Sequence, residues 1–126
     1  ADAVSEERSS VAVCIDTILS VEGVSRNSMQ LLQAGKSLFD ILQENLPDDK
    51  VLDLTGCSME SVLYYVGKDS PVMALLNDGN AVLIVGYNEL NTVIFNPMSG
   101  TISKMGMNDS RDYFEANGNC FITYSK

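Results

Sequence analysis

The chain of 126 residues has no histidine and no tryptophan, and only eight lysines and arginines against seventeen aspartates and glutamates. Each shortage excludes something. Without an imidazole, no side chain with an ordinary pKa near neutrality is available to take a proton from a serine or cysteine, so the common hydrolase triads cannot be assembled. A zinc peptidase built on two histidines is excluded as well. Cys14, Cys57 and Cys120 lie too far apart in sequence for paired C-x-x-C ligands, so neither a metal nor a cofactor is implied. All three read as small buried hydrophobes, with one disulfide left open. Basic residues are scattered and the formal net charge is −9, so no stripe exists to neutralise phosphates. Nucleic acid and anionic membrane are therefore excluded as expected partners. No apolar run approaches the ~20 residues that span a bilayer.

What is present suits one compact domain over residues 1–126, with 45% hydrophobic residues and a length at which roughly two-thirds of the unfolded surface can be buried. The chain begins with Ala1, and the expectation is a piece of something longer. Val11, Cys14, Ile15, Ile18 and Leu19 recur at three- and four-residue intervals and predict a helix from about Glu6 to Val21, stopped by Gly23. Cys14 lies on that apolar stripe, which favours a core role. A short helix is expected over Ser28 to Gln33, and a third begins at the N-cap candidate Ser37 and ends before Pro47. Val51 to Leu54 reads as a strand, and Ser58 caps a helix through Val66. Asp48-Asp49 reads as a solvated turn, and Tyr64-Tyr65 as a half-buried helix face. Met59, Met73, Met98, Met105 and Met107 are expected to fill core gaps.

The second half carries strand signals. Pro71 to Leu76 and Ala81 to Tyr87 flank Asn77-Asp78-Gly79-Asn80, whose Asp-Gly pair suits a hairpin turn. Thr92 to Phe95 and Thr101 to Lys104 follow, then a helix over Asp109 to Ala116 and a last strand over Asn119 to Tyr124. Asn108-Asp109-Ser110-Arg111 lacks the spacing and glycine of a calcium loop and reads as a helix cap. Helices first and an antiparallel sheet after them make an α+β arrangement. The run AVLIVGY is apolar on both faces and predicts a central strand covered on both sides. Asn80 at its start then sits at the rim of a packed scaffold.

The series PVMALLNDGNAVLIVGYNELNTVIFNPMSG resembles the central hairpin of papain-like cysteine peptidases of the bacteriocin-processing, double-glycine type, the C39-like group. Their pattern is P-V-h-A, a turn, H-A-V-h-h-V-G-Y, then V-h-h-h-D-P-x-x-G, where h is apolar. The segment MGMNDSRDYFEANGNCFITY is similar to the group's closing helix and strand, and ERSSVAVCIDTILSVEGV to its nucleophile helix. The resemblance implies a papain-like fold with N-terminal helices packed on an antiparallel β-sheet. It also implies a cysteine-peptidase plan from which parts are missing. The base position falls on Asn80, the orienting position on Asn96, and the nucleophile position on or next to Ser10, with Ser9 its neighbour. No oxyanion-stabilising glutamine occupies Ser5 to Arg8.

An asparagine carboxamide is neither basic nor acidic at ordinary pH and cannot deprotonate Ser10; losing acid–base catalysis alone costs about 10²- to 10⁴-fold. The expected role is an inactive peptidase homologue, in which Ser9, Ser10, Asn80 and Asn96 line a cleft for an extended polypeptide, including Gly-Gly-containing peptides. Asn96 would hydrogen-bond Asn80. Two other readings stand beside it: an active peptidase using Cys57, which precedes a helix N-terminus, or Cys14, and a spacer or interaction domain of a surface or secreted protein. An extracellular or cell-envelope location is expected over a cytoplasmic one.

Overall fold

In the computed structural model, residues 10–125 are described. Helix α1 (Ser10–Val21) carries its apolar stripe inward, with Ala12, Cys14, Ile15, Ile18 and Leu19 buried. A residue with positive φ, Gly23 at +82°, ends it, as a side chain there would be strained. Helix α2 (Ser28–Gln33) is capped by Asn27 and α3 (Leu38–Asn45) by Ser37, whose side chain accepts from the Asp40 N–H. Strand β1 (Lys50–Asp53) leads to α4 (Met59–Val66), capped by Ser58. Then come β2 (Val72–Leu75), β3 (Ala81–Tyr87), β4 (Asn91–Asn96), β5 (Thr101–Gly106), α5 (Met107–Ala116) and β6 (Cys120–Ser125).

The six strands form one sheet in the order β1-β6-β2-β3-β4-β5, antiparallel throughout. Because successive side chains alternate between faces, the sheet builds two cores. Met73, Ala81, Leu83, Ile122 and Tyr124 face α1, α2 and α3. Val72, Ala74, Ile84, Ile94 and Phe121 face α4 and α5. This is the expected α+β architecture, with helices on both faces of the sheet. Among the described residues no helix is long and apolar enough to cross a membrane.

Several local expectations are corrected. AVLIVGY is buried on both faces only up to Ile84; a bulge follows, and Val85 and Tyr87 are exposed at 37% and 45%. The bulge twists the strand's end out of the helix sandwich, so the apolar run outlasts its cover. Helix α5 begins two residues early, at Met107, and the Asn108–Arg111 run is its first turn rather than a cap. Ser110 bonds back to the Gly106 carbonyl (2.9 Å) and to Thr92 Oγ1 (2.6 Å), so its hydroxyl pins the helix to the sheet. Met98 lies exposed on the β4–β5 turn and fills no core gap, while Met59 and Met73 are buried. Tyr64 is 61% exposed, more open than a half-buried face implies. Asp48 is solvated, but Asp49 is half-buried, its carbonyl held by Gln43.

Candidate functional site

The site forms where α1 meets the β2–β3 hairpin. Packing of Ile15, Ile18 and Leu19 against Ala81 and Leu83 lays α1 across the middle of the sheet and brings Ser10 to the start of β3. The hairpin turn sets Asn80. Its N–H donates to Asp78 Oδ1 (3.0 Å), and its carbonyl accepts from the Leu76 N–H (2.8 Å). Gly79, at φ +87°, makes the reversal that places Asn80 there. The Asp78 carboxyl is held below its usual value by the Asn80 backbone N–H and then by the Asn80 side chain.

Two of the predicted positions meet directly, although they are 70 residues apart in sequence. The Ser10 hydroxyl donates to Asn80 Oδ1 at 3.0 Å, and the Ala81 N–H donates to Ser10 Oγ at 2.9 Å. Both functions of the hydroxyl are therefore engaged, and Ser10 is only 3% exposed. Its proton points at an amide oxygen, which accepts a hydrogen bond but does not abstract a proton at ordinary pH. An oxygen already accepting from a backbone amide is a weaker nucleophile for the same reason: its lone pair is partly committed. The geometry is that of a buried clasp.

Asn96 is at the end of β4, one strand over: Leu83 pairs with Phe95, so Asn96 lies opposite the start of β3. Its expected bond to Asn80 does not form. Asn96 Oδ1 instead accepts from the Met98 N–H at 3.0 Å, closing the turn into β5, and the side chain is exposed. The reason is local: an asparagine two residues before an unpaired N–H satisfies it at small entropic cost. Ser9, like Ser5 to Arg8, lies outside the described residues.

The cysteines separate by environment. Cys14 is fully buried, and burial pushes its thiol up to about 12. Cys57 is half-buried and directly precedes the N-cap Ser58. Cys120 is half-buried in β6, and all three are free thiols. Among the described residues no cluster of histidine, cysteine or carboxylates could hold a metal. Reading residue types missed the Ala81 amide, since a backbone N–H leaves no mark in a sequence. It also missed the buried Tyr124 hydroxyl, which donates to Glu22 Oε2 at 2.7 Å and is driven well above its ordinary pKa by burial and then by that carboxylate. A cavity of about 390 Å³ lies by Leu90, Asn108 and Arg111, at the opposite end of β4 from Asn96.

These elements define a C39-like peptidase fold. A solved structure from Bacillus anthracis, a candidate C39-like peptidase, superposes with a TM-score of 0.80 at 18% identity, over 95% of this chain and 90% of that one. At that identity the likeness establishes the fold alone. No family model and no curated protein matches the sequence.

Proposed function

We propose that the chain is a papain-like domain of the double-glycine-peptidase type that lacks the catalytic cysteine and histidine and holds an extended polypeptide without cutting it. The observation that supports this most directly is the Ser10–Asn80 clasp. A hydroxyl and a carboxamide touch where the family plan would have a thiol and an imidazole, and the chain contains no histidine to substitute. The fold neighbour supports a peptidase-like fold for this chain. Binding would rest on backbone hydrogen bonds to the peptide at the rim near Asn80 and Asn96. Titrating the labelled chain with peptides ending in Gly-Gly is expected to move the amides of Asn80, Ala81 and Asn96. No response at any peptide concentration up to about 1 mM, a binding free energy of only about −4 kcal/mol, would sink this reading.

The rival reading, a peptidase acting through a thiol, is favoured at one place by one observation: Cys57 is partly accessible ahead of a helix. Cys14 offers nothing comparable, since a buried thiol ionising near 12 is neither reachable nor nucleophilic. A thiol-directed probe decides. Labelling of Cys57 alone, blocked by substrate peptide, supports catalysis; slow labelling of both half-buried thiols supports the silent domain. A spacer role in a surface or secreted protein, outside the cytoplasm, would be marked by both peptide binding and thiol selectivity failing.

A further inference from the structure

Strand β5 ends the sheet, with β4 on one side and, among the described residues, no strand on the other. In an antiparallel pair, residues alternate between those bonded to the neighbour and those whose N–H and C=O turn away. The Met107 N–H bonds the Leu90 carbonyl at 2.8 Å, and the register places Asn91 opposite Gly106. It follows that Met105, Ser103 and Thr101 bond to β4, whereas Ile102 and Lys104 direct their backbone groups outward. Their side chains share a face with Phe95 and Val93, which they oppose. On the other face, α5 is seated through Ser110 and Thr92. On this one Ile102 is 64% exposed, and Lys104 is exposed with no ion-pair partner among the described residues.

We propose that β5 binds an extended segment of another polypeptide by strand addition. Only an extended strand matches two outward N–H and C=O pairs at a two-residue spacing. The side chains specify the segment: an apolar residue beside Ile102 and, at the next position on that face, a carboxylate beside Lys104. Cross-strand apolar and opposite-charge pairs of this kind are the unit of sheet pairing. A second copy of this chain is a poor occupant, since each copy carries a net charge of −9 and the two would repel. This surface is separate from the Ser10–Asn80 clasp, and it stands or falls without the peptide cleft.

The test uses the whole chain, 15N-labelled, and a capped heptapeptide, Thr-Val-Thr-Glu-Thr-Val-Thr, whose symmetry lets valine reach Ile102 in either orientation. Amide shifts are expected at residues 102–104. Lys104→Glu should weaken binding about threefold, and replacing the peptide's glutamate by lysine should restore it. Ile102→Pro removes one outward donor at a position where an edge strand tolerates proline, and should abolish binding while the thermal transition persists. Of two peptides methylated on alternate backbone nitrogens, one on the valines and glutamate and the other on the threonines, the one whose blocked edge faces β5 should not bind. Shifts confined to Ser10, Asn80 and Asn96, or none up to about 5 mM, would overturn the proposal. So would dimerisation of Lys104→Ile with no peptide response at β5, which would mark Lys104 as a guard against edge pairing.

Discussion

At the scale of single residues, the clasp is first a stability element. Ser10→Ala leaves the buried Ala81 N–H without its acceptor, which costs about 1–3 kcal/mol, measurable as a lower urea midpoint. Asn80→Ala should cost less, because the Ala81–Ser10 bond survives and the freed Ser10 proton faces the space vacated by the exposed Asn80 side chain, where water can accept it. Cys14 gives a pH signature. The folded thiol keeps its proton to about 12, while the unfolded one releases it near 9.0. The stabilisation is complete below pH 9 and drains away as pH rises toward 12, by up to about 1.4 kcal/mol per pH unit. Tyr124, raised from 10.0, adds a loss of the same sign at higher pH. Urea midpoints followed from pH 8 to 10 should therefore fall in the wild type and stay nearly flat in Cys14→Ala.

At the scale of elements, α5 shows how a helix is held by few contacts. Its sequence is rich in polar residues, and only Ser110 and Phe114 are buried. Phe114 meets Phe121 edge-on at 5.7 Å in the core beneath α4 and α5. Phe114→Ala should destabilise by about 3–5 kcal/mol, read as a drop in the unfolding midpoint. By contrast, the Arg111–Glu60 ion pair joining α5 to α4 is solvent-exposed, and Glu60→Gln should leave the unfolding midpoint nearly unchanged. Element identity was legible from periodicity and caps: Ser37 and Ser58 cap where expected, and Ser28–Gln33 has the expected bounds. The start of α5 was not, because Met107 and Asn108 carry no cap signal and Ser110 spends its hydroxyl on Gly106 and Thr92.

At the scale of the whole molecule, charge opposes compaction. With a net charge of −9, repulsion is spread over the surface, whereas the two ion pairs among the described residues, Lys36–Glu44 and Arg111–Glu60, are exposed and individually weak. Repulsion should win. Raising salt from about 10 to about 150 mM shortens the screening length from about 30 to about 8 Å, and the melting temperature should climb by a few degrees. A fall instead would mean that the exposed pairs matter more than their solvation implies.

Residue types and their spacing were enough to rule out imidazole-based catalysis and to mark most segments as helix or strand. The absence of an imidazole needs no coordinates, and periods of 3.6 and 2 follow from local backbone geometry. The two-sided burial of β3 was also readable in its first half. Which side chains meet depends instead on how the elements pack. Ser10 reaches Asn80 because two helix stripes and a hairpin share one core, whereas Asn96, equally polar and one strand away, closes its own turn. Side-chain partners across 70 residues are set by packing of the intervening chain, and backbone donors such as the Ala81 amide are the same in every residue, so no pattern of letters could have pointed to them.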